Sequence, residues 1–152
     1  MIIRPITEQD ADAYLNILER TSEEDRYCRF FHVINHFDLD SIGEFIHMTP
    51  DTLGFIAENQ NQAFGVIHAF GILDDTPEIA IVVANNVRRQ HIGHALLDRM
   101  LQELWRRDVA SVTAYSLSGN NALSKLVQSF GMVPIGPPNQ MMTWRITVPA
   151  AV

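Results

Sequence analysis

Residues 78–97 read EIAIVVANNVRRQHIGHALL. After the leading glutamate, Ile79–Ala84 is an unbroken apolar run. That is the pattern of a strand covered on both faces, so Glu78–Ala84 is predicted to lie centrally in a sheet. Asn85–Gln90 is a polar loop holding Arg88 and Arg89. From Ile92 the apolar residues fall at helical spacing, and Ile92, Ala95, Leu96, Met100, Leu101, Leu104 and Trp105 share one face. A helix over Ile92–Arg107 follows. A buried strand therefore runs through a basic loop into a helix opened by Gly93. A helix N-terminus presents unpaired N–H groups and a partial positive charge. A glycine there lets an anion approach the backbone, and two arginines add fork-shaped charged donors. The physical reading is a phosphate or pyrophosphate cradle, although structural turns of the same form are common.

Working outward, Ser111–Leu117 reads as a strand and Ser118–Asn120 as a loop. Asn121–Phe130 reads as a helix closed by Gly131 at its C-cap. Pro134–Asn139, with three prolines and a glycine, reads as a loop, and Met141–Val148 as a last strand. On the other side, Leu53–Ala57 and Ala63–Leu73 form a hairpin across a polar turn, and Asp74–Pro77 is the next turn. Ile2–Ile6 is a first strand. Thr7 and Asp10 mark a helix start, with Ala11, Tyr14, Leu15 and Leu18 at helical spacing. Ser22–Asp25 signals a second helix with Tyr27, Phe30 and Phe31 as its apolar stripe. Asp40 or Ser41 caps a third, reaching Met48 before Pro50. The order predicts a single mixed α/β domain over residues 1–152, without repeat or linker.

Composition narrows the class. The 152 residues are 47% hydrophobic and 19% charged, which is enough apolar material for a sizeable core. A net charge of −7 argues against nucleic acid as a partner. No apolar run is long enough to cross a bilayer, and the first residues lack the pattern of a secretory signal. The single cysteine, Cys28, fits a reducing cytoplasm and excludes a disulfide scaffold. Charge is uneven: residues 1–60 hold 12 acids and 4 bases, a net of −8, and the remainder is near neutral at 6 acids and 7 bases. Ten of the 11 bases are arginine, and Lys125 is the only lysine. The plain reading is a solvated acidic surface. The sharper one is that the acidic part attracts a cation while the other part holds an anion.

The loop and helix resemble motif A of the GNAT family (GCN5-related N-acetyltransferases), Arg/Gln-x-x-Gly-x-Gly/Ala. Two registers satisfy it: Arg88-x-x-His91-x-Gly93, with His91 at the first glycine, and Gln90-x-x-Gly93-x-Ala95. The first is preferred because the following helix then aligns without a gap. Asn120, with Gly131 eleven residues later, resembles the family's Asn…Gly-Phe element, with Met132 at the aromatic position. Residues 22–31, SEEDRYCRFF, are similar to an element in the GNAT domains of bacterial Pat-type protein-lysine acetyltransferases. The resemblance implies a mostly antiparallel mixed sheet with helices on both faces and two parted strands. It also implies acetyl-CoA as co-substrate and an amine acceptor, either a protein lysine or a small cationic amine, and it leaves room for a homodimer. Arg88, Arg89, Gln90, His91, Ile92, Gly93, His94 and Asn120 are the implied cofactor-binding residues. A backbone N–H near Val83 is the implied donor to the thioester carbonyl.

Acetyl transfer needs a neutral amine, and hence a group to take its proton. Glu78, at the start of the central strand, is the candidate base; a glutamate stands at the matching position in the Pat-like domains. A buried or half-buried carboxylate there holds a proton more readily and can act through water. The plain alternative is an exposed turn residue after Pro77. The family's proton-donating tyrosine would fall at Val127, which cannot donate. Tyr115 is the substitute candidate, with Ser118 beside it, though a packed core tyrosine is the simpler account. The competing function is a non-catalytic acyl-CoA-binding module of the same fold.

The remaining candidates carry less. His32 and His36, with Asp38 near, have metal-compatible spacing but lack a third ligand, so no metal is expected. Trp105, Trp144 and the methionines read as core. Cys28 reads as packed beside Tyr27.

Overall fold

The computed structural model describes residues 1–19, 50–60, 62–73, 76–84, 91–117, 121–136 and 141–147. The elements are β1 (Ile2–Pro5), α1 (Ala11–Glu19), β2 (Thr52–Asn59), β3 (Gln62–Phe70), β4 (Glu78–Val83), α2 (Ile92–Arg106), β5 (Ser111–Leu117), α3 (Asn121–Ser129), β6 (Val133–Ile135) and β7 (Met141–Thr147). A 3-10 turn, Glu8–Asp10, precedes α1. The helices expected between Ser22 and Met48 lie outside the described residues, as do Cys28, His32, His36 and Asp38.

The seven strands among the described residues join one sheet in the order β1-β2-β3-β4-β5-β7-β6. β4 is central, as its continuous apolar run requires. Every neighbouring pair is antiparallel except β4 and β5. Strand alternation sorts the side chains onto two faces. On one face Val66 and Val82 pack with Tyr14 and Ile17 of α1, and with Ile6 and Ile56. On the other, Phe55, Ile67, Ile79 and Val112 pack with Leu96, Met100 and Leu104 of α2 and Val127 of α3. Helices thus cover both faces of a mixed α/β sheet. Trp144 belongs to the second core, with Trp105 packed at its margin.

The expected loop Pro134–Asn139 begins inside a strand. Val133–Ile135 pairs antiparallel with β7, with Val133 opposite Arg145 and Ile135 opposite Thr143. Pro134 masked it in the sequence. β6 is the outermost strand, where a residue without an N–H does no harm to the ladder.

The helix ends follow local chemistry. α3 closes as a Schellman motif: Met132 N–H donates to the Val127 carbonyl and Gly131 N–H to that of Gln128, with Gly131 at φ 87°. α2 closes the same way, Val109 to Leu104 and Asp108 to Trp105, but with Asp108 in the left-handed position at φ 63°.

At the other end of the sheet, Arg4 ties three segments together. Its guanidinium makes a forked pair with Asp10, at 2.9 and 2.7 Å, and reaches Glu58 at 2.9 Å. Asp10 also accepts from the N–H and hydroxyl of Thr7. The expected helix start at Thr7 and Asp10 is therefore also an ion-pair site. The Arg4 fork holds the Asp10 carboxyl below its ordinary range, against the opposing effect of burial.

Candidate functional site

β4 and β5 are paired only at Glu78–Thr113 and Ile79–Ala114. Beyond that point they part, while β4 continues against β3 to Val83 and β5 against β7 to Leu117. The gap runs along four residues of β4, about 13 Å at strand rise. The ladder register fixes which backbone groups face it. Ala84 donates to the Phe64 carbonyl at 2.8 Å, so the even residues of β4 are the ones bonded to β3. The peptide N–H and C=O groups of Ile81 and Val83 therefore point away from β3, into the gap. Val83, the expected donor, is half-buried there.

The chain leaves β4 at Ala84 and resumes at His91, beside the first turn of α2. Arg88, Arg89 and Gln90 lie outside the described residues. His91 is the N-cap of α2 and sits at φ 58°, ψ 27°, in the left-handed region. A side chain is strained there by about 1–2 kcal/mol, and glycine is the residue that escapes the strain. This is the position where the preferred register puts the family's first glycine. Ile92 is fully buried, whereas His91 and His94 are exposed, and the His94 ring lies 4.6 Å from that of Phe130. Gly93 has a packing role. A Cβ there would come 3.2 Å from Leu126 and 3.8 Å from Ile81 and Val83. Its absence lets α2 start close against both α3 and β4.

At the closed end of the gap, register places Phe70, Glu78, Thr113 and Arg145 in one row across β3, β4, β5 and β7. Alternation puts that row on the α1 face, with Val82, opposite Val112 and Ala114. Glu78 and Arg145 are exposed, and Thr113 is buried. The expectation of a half-buried Glu78 is corrected: the strand begins directly after the Pro77 turn, and its first side chain reaches solvent. Tyr115 stands two residues past Thr113, with Thr143 opposite it on β7. Its side chain lies outside what the structure describes, as do Ser118 and Asn120. Val127, at the family's tyrosine position, is 1% exposed and packed in the core. Among the described residues no group of three His, Cys, Asp or Glu stands close enough to hold a metal ion. No helix among them is long and apolar enough to cross a membrane.

Two signals escaped the sequence. The Thr113 hydroxyl was hidden in a strand read only for periodicity. The Arg4–Asp10–Glu58 group joins residues up to 54 apart.

The model of the acetyltransferase (GNAT) domain family matches residues 1–133. The chain belongs to the GNAT family. Its fold also matches solved GNAT structures. The GNAT domain of PAT from S. lividans superposes with a TM-score of 0.87 at 21% identity, covering 96% of this chain and 89% of that one. The ribosomal-protein-S18-alanine N-acetyltransferase of Escherichia coli gives 0.78 at 18%, covering 99% and 96%. A variant of the spermidine N-acetyltransferase of Vibrio cholerae gives 0.73 at 14%, covering 97% and 95%. Identities this low establish the GNAT fold. The family establishes an acetyltransferase of the N-acetyl-transferring kind. The named structures include a ribosomal-protein-S18-alanine and a spermidine N-acetyltransferase, so they do not select an acceptor.

Proposed function

We propose that residues 1–152 form one domain that moves an acetyl group from acetyl-CoA to a primary, positively charged amine by direct transfer. The observation that carries the reading is the gap between β4 and β5, lined by the peptide groups of Ile81 and Val83 and ending beside the N-terminus of α2. Acetyl-CoA fits it chemically, since its pantetheine arm is extended and carries two amides, and its pyrophosphate is an anion suited to a helix N-terminus. When bound, it supplies an activated acetyl carbon and a thiolate leaving group.

The chain's residues do the rest. Val83, beside α2, offers its main-chain groups to the arm, and the Ile81 N–H, nearer Glu78, supports the thioester oxygen as charge develops on it. Arg88 and Arg89, with the amides of Gln90, His91, Ile92, Gly93 and His94, hold the pyrophosphate; Asn120 flanks it. Glu78 takes the proton of the incoming ammonium through a water molecule, and the freed lone pair forms the new N–C bond as the C–S bond breaks. Exposure keeps Glu78 in exchange with solvent, so the proton can leave. With Val127 buried and apolar, departure rests on the low basicity of the thiolate, which ends as the thiol by taking the nitrogen's second proton, and Tyr115 is the remaining donor candidate.

The test is free-thiol release from acetyl-CoA with a panel of amines. Turnover by Glu78→Gln should fall about 10²–10⁴-fold with acetyl-CoA affinity nearly unchanged. A Gln variant that works at the wild-type rate across pH 6–9 would remove Glu78 from the mechanism. Tight acetyl-CoA binding without thiol release from any amine would make the chain a non-catalytic acyl-CoA-binding module. Replacing both Arg88 and Arg89 by Ala should weaken acetyl-CoA binding by more than twofold in calorimetry; no change would put the phosphate site elsewhere.

A further inference from the structure

Thr113 is 4% exposed, one of three buried polar or charged residues described. Its backbone N–H is satisfied by the Pro77 carbonyl at 3.0 Å. Among the described residues its hydroxyl makes no hydrogen bond. Its sequence neighbour in the same direction, Ser111, does find a partner, the Thr76 hydroxyl at 3.0 Å. A buried hydroxyl left unpaired is costly, and such groups are matched by an ordered water or a ligand atom. The surroundings say which. Thr113 stands opposite Glu78 in a parallel pair, so both side chains rise from the α1 face about 5 Å apart. They form the last rung but one before the strands part. A single water accepting from or donating to the Thr113 hydroxyl therefore comes within reach of the Glu78 carboxylate, at the closed end of the gap.

We propose that Thr113 is a positioning residue. Its hydroxyl holds the water through which Glu78 receives the acceptor's proton. The proposal rests on the reading of Glu78 as the base. The proton passes from the ammonium to the water oxygen as a water proton passes to Glu78, so the water is regenerated and no charge is stranded. A hydroxyl is suited to this place because it turns freely between donor and acceptor. Valine has the same shape and cannot hold the water.

The experiment compares Thr113→Val, Thr113→Ser, Glu78→Gln and the Thr113→Val/Glu78→Gln pair, each assayed for turnover, acetyl-CoA affinity by calorimetry, and Tm. The expected result is that Thr113→Val loses about tenfold or more in kcat, with acetyl-CoA affinity within twofold. Its Tm stays within about 2–4 °C of wild type, because the hydroxyl bonds no protein group and valine keeps the shape. Thr113→Ser recovers to within threefold of wild type. In the Glu78→Gln background Thr113→Val adds less than twofold, as expected for two groups serving one step. Wild-type kcat in Thr113→Val, with Glu78→Gln impaired, overturns the Thr113 role and leaves the base intact. Wild-type turnover in Glu78→Gln overturns the base itself and the proposal with it. A Thr113→Val variant that loses Tm and acetyl-CoA affinity along with kcat, no rescue by serine, or losses that multiply in the pair, would show a packing role only.

Discussion

His91 is a residue held where its side chain is a burden. At φ 58° it opens α2 in a conformation that glycine adopts without strain. His91→Gly should therefore stabilise the fold, by about 1 kcal/mol, in urea denaturation. Loss of stability would mean that the imidazole makes contacts worth more than the strain. Asp10 presents the opposite case, a charge held where it is wanted. Its carboxyl lies below its ordinary range chiefly through the Arg4 fork. A carboxyl whose folded value is depressed stabilises the protein above its unfolded value, about pH 4, and that stability is lost as pH falls through the folded value. Asp10→Asn should then cost about 2 kcal/mol at pH 7. The difference from wild type should shrink steadily below pH 4. A constant difference from pH 7 to pH 2 would show that packing rather than charge is responsible.

Among the elements, α2 and its seat on the sheet decide whether the proposed cofactor end of the gap exists. A Cβ on Gly65 of β3 would stand 3.1 Å from the Val82 carbonyl oxygen, 3.1 Å from Leu96 and 3.2 Å from Ile92. The carbonyl belongs to a paired strand and cannot yield, so the helix must. Gly65→Ala should cost about 1–3 kcal/mol and weaken acetyl-CoA binding, because the first turn of α2 shifts off its strand. Unchanged affinity with lowered stability would separate the helix seat from the ligand site. The sequence made α2 plain, since seven apolar residues repeat at helical spacing, and it made β4 plain by an unbroken apolar run. β6 stayed hidden because three residues with a proline carry no periodicity, and only the partner strand reveals it. The gap was legible through family resemblance alone. Whether β4 and β5 stay paired past Ile79 depends on contacts between segments 35 residues apart. Glu78 was chosen by its place in β4 and by family resemblance, but its exposure depends on the turn before it. Thr113 was passed over because one threonine in a strand is ordinary until its hydroxyl is seen to be buried.

For the whole molecule the governing property is how charge is divided along the chain. Residues 1–60 carry −8, and the remainder carries +1. An anionic co-substrate and a cationic acceptor would each meet a favourable field. At physiological salt, fields from exposed charges fade over about 8 Å, so the effect belongs to capture rather than to chemistry. Added salt should raise the acceptor's apparent KM more than it lowers kcat. Matched amine acceptors of charge +1 and −1 at low salt give the sharper comparison; equal or better use of the anion would reduce the acidic half to a solubilising surface. The strand order has a different consequence, one of timing. β7 lies between β5 and β6 in space but follows both in the chain. During synthesis, β1 to β4 can assemble with α1 and α2 as they emerge. β5 at that stage touches β4 at two residues only and has no partner on its other side. β5, β6 and β7 must therefore wait for Met141–Thr147 to leave the ribosome before they can pair. The gap between β4 and β5 begins as an open seam, and of the strands in this sheet the last to be translated is the one that keeps β5 from folding onto something else.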